Sequence, residues 1–245
     1  MKRRLALRVY HSELFSTRDV APLLEGMIDA MSIELLRVLA CEALAFVFFF
    51  LYGSFFEWAF HKYLFHSPKF IKSTFQAHTI VHHQVYKYEP DSYEWREGKK
   101  EDPNKVHISM NWFALPMFLG VHAPIFWVLE NLTHIPLLIG GLAAIGTYYV
   151  VYEYFHYFMH VPARKGFENT EIFQFVKEHH RIHHKYMLQN LNVFFPLADL
   201  CLGTYRSPQS VGVAKVRKEV VIKNETDSLR TIAPKFSGKS AAEGK

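Results

Sequence analysis

The chain has 245 residues, half of them hydrophobic and 16% aromatic, with 22 phenylalanines and a formal charge of +5. Its basic balance comes with long apolar runs and without a nucleic-acid-binding motif, so it points to an anionic membrane surface and not to nucleic acid. The two cysteines, Cys41 and Cys201, form no CxxC pair, which argues against a disulfide scaffold, a thiolate zinc site and a cysteine-ligated iron–sulfur cluster.

Residues 1–34 open on "MKRRLALR" and read as an N-terminal segment at the membrane interface. No apolar core follows the basic start before Arg8, Glu13, Arg18 and Asp19, so a cleavable signal is not expected. Residues 35–206 read as a membrane-embedded domain. A transmembrane helix needs about 20 apolar residues, and three stretches approach that. "LLRVLACEALAFVFFFLYGSFF" (35–56) is interrupted early by Arg37 and Glu42. "WFALPMFLGVHAPIFWVL" (112–129) is short and carries Pro116 and Pro124. "IPLLIGGLAAIGTYYVVY" (135–152) offers Gly140 and Gly141 as small packing residues.

The short link "ENLTH" predicts a tight hairpin between the second and third stretches, which leaves residues 57–111 and 153–245 on one side of the membrane. That side carries 22 of the 28 lysines and arginines, and the positive-inside tendency makes it cytoplasmic. The basic N-terminus faces away if all three stretches span; otherwise the first enters without crossing fully. Both topologies stay open. "YKYEPDSYEWREGKKEDPNK" (86–105) reads as a charged, solvated loop. Residues 207–245 read as a polar tail, with "KVRKEVVIK" as a short strand and "SGKSAAEGK" as a loose end.

Fifteen histidines occur, and ten fall into four clusters. They are His61 and His66; His78, His82 and His83; His156 and His160; and His180, His183 and His184. On an α-helix, residues four apart lie about 40° from one another, so His156 and His160 share a face, and His180, His183 and His184 fall within about 100°. His61 and His66 diverge by about 140° and are expected to reach different metals, while His82 and His83 diverge by about 100° and suit two centres. Ten imidazoles exceed what two tetrahedral zinc ions use. Two five- or six-coordinate ions could use all ten and keep positions for water or dioxygen; imidazole suits iron as well as zinc and copper. The other histidines have plainer readings: His11 on the surface, His122 and His134 as hydrogen-bonded structural residues. His107 is a substitute ligand or a group that supports one, and His179 supports a ligand or faces substrate.

"EWAFHKYLFH", "HYFMH" and "HHRIHH" followed by "NLNVFFPLADLCLGT" resemble the fatty acid hydroxylase/sterol desaturase superfamily of membrane oxygenases, over roughly residues 50–206. The resemblance implies an all-α protein, with a helical membrane anchor, a cytosolic helical cap and a dimetal centre between them. It also implies two metal ions, iron in function although isolated protein could carry zinc, with dioxygen as co-substrate. His61, His66, His156, His160, His180, His183 and His184 match the family's ligands directly. The second cluster departs from HxxHH, because Thr79 stands three before His82. His82 and His83 match; His78 lies one residue further back, and His107 replaces it if it cannot reach. Asp199 matches a family aspartate, expected to accept a hydrogen bond and orient the cap through a ligand imidazole. Glu153 either supports a ligand in the same way or forms a salt bridge. A fused cytochrome b5 domain does not fit before residue 35, so electrons come from a separate cytochrome b5-like or ferredoxin-like donor and its reductase.

The expected function is hydroxylation of a membrane lipid, with a fatty acyl chain favoured. Desaturation, or oxidation of a sterol or carotenoid, is the alternative within the same chemistry. An unactivated methylene has no acidic proton and no leaving group, so acid–base or nucleophilic catalysis cannot attack it, and a metal cofactor must carry the reaction. A zinc-handling membrane protein is the alternative of another class. Transport places ligands near the bilayer midplane, whereas these clusters sit at the ends of apolar stretches.

Overall fold

A segment apolar on every side forms the structure that satisfies its own backbone, a helix. A computed structural model describes residues 17–98, 108–163 and 165–211, with side chains from residue 25 onward. His11, His107, the first sixteen residues, the end of the charged loop and the strand expected at 215–223 lie outside the described residues. The fold is all-helical, with 73% helix and no strand among the described residues.

Helix α1 runs from Thr17 to Phe60. It passes without a break through residue 34, where charge marked a boundary in the sequence. Glu34 and Arg37 pair on its surface at 2.7 Å, one turn apart, so charge interrupts the apolar run but not the helix. Helix α2 spans Ala114–Thr133 and helix α3 spans Leu138–His160. Residues 134–137 make the expected tight turn, with His134 in the left-handed region at φ 56°. Carboxylates satisfy the exposed N–H groups at the start of α3. Glu130 accepts from Leu137 and Leu138, both at 2.9 Å, and Glu42 accepts from Gly140 at 2.6 Å.

Two helical segments, Glu25–Phe65 and Ala114–Thr133, are long and apolar enough to cross a membrane. The third stretch expected to span gives Ile135, Pro136 and Leu137 to the turn, and its remainder lies in α3, where Tyr148, Tyr149 and Tyr152, followed by Glu153, dilute the helix's apolar character. Leu44, Phe48, Val121, Ile125 and Leu132 project outward and are exposed; a bilayer solvates an apolar exterior of this extent and water does not. Between the helices, Phe49, Phe118, Phe126, Ala144 and Ile145 form the core. Small residues let the backbones approach: a Cβ on Gly140 would collide with the Glu42 carbonyl.

Helix α4, Glu171–Lys185, starts at Thr170, whose hydroxyl accepts from the Phe173 N–H at 3.3 Å. Its buried face carries Phe173, Val176, His180, His183 and His184, at helical spacing. The segment after residue 86 departs from the solvated loop read from its charges: Tyr86 and Tyr93 are 0% and 1% exposed. The charged residues between them face solvent while the two rings pack among the histidines, so the charges masked a buried apolar pair.

Candidate metal centre

Two short π-helical turns, His61–Phe65 and Gln76–His82, set the geometry of the first two histidine clusters. In the first, His66 N–H donates to the His61 carbonyl at 3.1 Å; in the second, His83 N–H reaches the His78 carbonyl. Such i→i+5 bonds widen the turn and bring residues five apart onto one side. His61 therefore stands beside His66, and His78 beside His83. The expectation that His61 and His66 reach different metals rested on α-helical spacing and is corrected by the wider turn. The same turn absorbs the extra residue in the second cluster and lets His78 reach the site. His82 points to a different group from His83, as their divergence implied.

Nine of the ten clustered histidines assemble into two groups whose ring nitrogens lie within 4.8 Å of one another. One contains His61, His66, His78, His83 and His183; the other contains His82, His156, His160 and His180. All but His66 are buried. His184 belongs to neither group, yet its Nε2 is 3.0 Å from His180 Nε2. Within the groups, His61 and His78 meet through Nε2 at 2.9 Å, His66 and His183 at 3.0 Å, and His160 and His180 at 3.2 Å. Two imidazole nitrogens bound to one ion at about 2.1 Å stand roughly 3.0–3.4 Å apart, depending on the angle between them. The observed spacings match that range.

The hydrogen-bond network assigns the tautomers. A backbone carbonyl can only accept, so His61 Nδ1–H donates to Leu191 at 2.5 Å, His183 Nδ1–H to Gln189 at 2.9 Å and His160 Nδ1–H to Tyr93 at 3.0 Å. His184 donates likewise to the Tyr86 carbonyl. Thr79 Oγ1 gives its one proton to the Phe65 carbonyl at 2.6 Å, so it accepts from His66 Nδ1–H at 2.9 Å. A neutral ring carries one N–H, and these five rings have spent it. Their Nε2 atoms present bare lone pairs to the interior, the form that binds metal.

Protonation cannot relieve the crowding. Burial pushes the His183 imidazole down to about 4, and burial followed by repulsion from neighbouring histidines holds His78, His82, His83, His180 and His184 well below the ordinary range. Both ring nitrogens of His82 are buried with no hydrogen-bond partner, a cost of about 1–3 kcal/mol per group unless a ligand fills the position. The donor set therefore fits metal ions, with one group able to supply five nitrogens and the other four.

Other residues hold the ligands in place. Asp199 is fully buried and accepts from Leu191 N at 2.9 Å, Asn192 N at 2.7 Å, Thr204 Oγ1 at 2.6 Å and His179 Nε2 at 3.1 Å. Leu191 in turn takes the His61 proton on its carbonyl, so Asp199 orients a ligand through one residue of backbone. Burial alone would raise the Asp199 carboxyl, but the bonds from His179, Thr204 and Asn192 outweigh it and hold it below its usual value. His179 faces away from both groups and stacks on Tyr205; it is a partner of Asp199. Glu153 accepts from Met110 N at 3.1 Å and anchors the chain entering α2. Sequence reasoning missed Asn190, which adopts φ 52° and bonds the carbonyls of His179 and Arg206, each at 3.0 Å. It also missed the carbonyls of Tyr86 and Tyr93. The repeated asparagines of "NLNVFF" were the available signal for the first; backbone acceptors leave no signal in sequence.

Beside the groups lies a cavity of about 310 Å³, reached by His78 and His156 and lined in part by the polar residues Ser73, Thr74, Ser109 and Asn111. That is at the lower end of volumes that hold a small ligand. An apolar pocket continues from it past Phe60, Phe65 and Phe118, touches His61 and runs between α1 and α3. No family model, curated protein or solved structure matches this chain.

Proposed function

We propose that the chain is a membrane-bound dimetal oxygenase that hydroxylates a C–H bond of a lipid, with a fatty acyl chain as the favoured substrate. The observation that carries the reading is the adjacency of paired imidazoles whose Nε2 atoms carry no proton and an apolar pocket. When bound, two iron ions supply dioxygen activation and removal of hydrogen from an unactivated carbon. In hydroxylation, one oxygen atom enters the C–H bond and the other leaves as water, with two electrons and two protons from a separate donor and its reductase. Desaturation uses the same electrons, removes two hydrogens from adjacent carbons and releases both oxygen atoms as water.

The protein's own contributions are position and dryness. His61 touches the apolar pocket while His78 and His156 line the wider cavity, so a chain lying through both passes beside both groups. Phe56, Phe60, Phe65 and Phe118 exclude water and restrict a flexible chain, which supplies the near-attack placement such a reaction needs. The excess of lysine and arginine on the histidine-bearing side supports a cytoplasmic site, accessible to a soluble or membrane-bound electron donor.

The deciding experiment compares host lipids with and without the protein, using His183→Ala as the control. A histidine-dependent gain of one oxygen establishes hydroxylation, and a loss of two hydrogens establishes desaturation. Iron-loaded protein that leaves every lipid unchanged in the presence of reductant and donor would favour metal handling instead.

A further inference from the structure

We propose that Gly53 and Tyr148 form the floor of an acyl-chain pocket, and that this floor selects the oxidised carbon by its distance from the apolar end of the chain. The inference rests on the lipid-oxygenase reading and adds to it a counting rule for the acyl chain which that reading favours.

Four features carry it. Gly53, Phe56, Glu57, Phe60 and His61 line the pocket from one face of α1, so the stripe begins at the floor and ends at a histidine of the five-membered group. Eight residues separate its ends, about 12 Å along the helix, and the pocket between them is narrow, about 50 Å³, so it admits only the slender apolar end of a chain. One turn below Gly53 the helices are tightly packed: Phe49 and Phe126 meet with centroids 4.1 Å apart at 41°, and a Cβ on Gly141 would lie 2.8 Å from Phe126 and 3.1 Å from Phe49.

Tyr148 cannot swing aside. Its hydroxyl donates to Glu57 Oε2 at 2.6 Å, and its ring packs on Phe50 and Phe194 at 5.3 and 5.8 Å. Asn192 Nδ2 and the Val193 N–H occupy the rest of the Glu57 carboxylate, at 3.0 and 2.6 Å, so the pocket meets its methylene stem. A Cβ on Gly53 would stand 2.6 Å from the Tyr148 ring, so the ring packs directly against the glycine backbone at the floor.

Polarity sets the direction of entry. Ser73, Thr74, Ser109 and Asn111 line the neighbouring cavity, which shares Phe60, Phe65 and Phe118 with the apolar pocket, and none of these four polar residues lines the pocket itself. A polar head belongs there and the apolar end at the floor, leaving an intermediate carbon beside His61, His78 and His156.

The test uses purified full-length protein, acyl lipids of fourteen, sixteen and eighteen carbons, and fragmentation mass spectrometry to locate the oxidised carbon. Wild type should keep a constant distance from the methyl end across the three lengths. Ile145→Phe, which adds bulk to the pocket lining, should raise the floor and move oxidation toward the methyl end, while Ile145→Ala, which deepens the same pocket, should move it away. Metal content equal to wild type identifies variants that remain folded. A second readout needs no turnover: native mass spectrometry of acyl lipids retained in a His183→Ala background should show shorter chains with Ile145→Phe and longer ones with Ile145→Ala. Oxidation at a constant distance from the head group, or unchanged position and retained length in folded variants, overturns the floor. Retained lengths that shift while wild type oxidises no lipid sustain the floor and overturn the oxygenase reading.

Discussion

His66 and His183 meet through their Nε2 atoms at 3.0 Å although each ring has committed its only N–H elsewhere, His66 to Thr79 and His183 to the Gln189 carbonyl. Two lone pairs at that distance repel each other, and a cation between them converts the repulsion into two bonds. Burial keeps a proton from serving as that cation near neutral pH, since it holds His183 down to about 4. The fold thus brings together segments 117 residues apart in an arrangement that a metal ion stabilises.

Metal content should follow the two groups separately. His183→Ala removes a nitrogen from the five-histidine group and His82→Ala removes one from the four-histidine group. Each variant is expected to lose about one of two ions, and the double variant both. Elemental analysis of the purified chain reads this directly. Unchanged metal in both single variants would remove these residues from the ligand set.

Thr79 stands where the related motif has a histidine, and its structural task is to accept the His66 proton while donating to Phe65. Thr79→Val keeps the shape and removes both bonds, so metal affinity of the first group should fall about 10–100-fold. Thr79→Ser retains the hydroxyl and should recover most of it. Competition with a chelator measures the difference; equal affinity in Val and Ser variants would show that the hydroxyl does not orient the ring.

The histidine clusters and the apolar stretches were legible because each depends on residue type and spacing. The grouping of His61 with His66 was not, because α-helical angles were applied to a π turn whose wider repeat reverses the conclusion. The depth of Tyr86 and Tyr93 was hidden by the charges around them, since composition averages over a segment while burial acts on single rings. Asp199 was recognisable, but its route to a ligand runs through the Leu191 backbone, which has no side-chain signature. The close packing of Tyr148 on Gly53 was not legible either, because the two residues are 95 apart in sequence and meet only through the pairing of α1 with α3.

Asp199 should matter for metal as well as for stability. Its carboxylate takes four hydrogen bonds in a fully buried position, so Asp199→Ala leaves several donors unpaired and should cost about 3–5 kcal/mol. The freed Leu191 loses its hold on His61, and affinity for metal should drop about 10–100-fold beyond any loss of folded protein. Thermal unfolding and metal titration of the folded fraction separate the two effects. Normal affinity in the surviving folded protein would reduce Asp199 to a purely structural role.

Metal-free protein should be acid-sensitive in a defined window. An unfolded histidine titrates near 6.5, whereas His78, His82, His83, His180, His183 and His184 titrate well below that when folded, chiefly because burial disfavours the charged ring. Below 6.5 the unfolded chain binds protons that the folded chain refuses, so stability is complete above that value and declines as pH falls toward the folded pKa values. At one unit below 6.5, each such ring costs about 1.4 kcal/mol. Several together rival the roughly 5–15 kcal/mol that holds a domain folded. Tryptophan fluorescence of chelator-treated protein should therefore show unfolding of the histidine-bearing layer between pH 6.5 and 5. Loaded protein should release its metal over the same fall in pH, because protons and ions compete for the same nitrogens. Stability that stays flat from pH 7 to pH 5 without metal would mean the imidazoles are not held neutral, and the lone-pair argument for the site would fall with it.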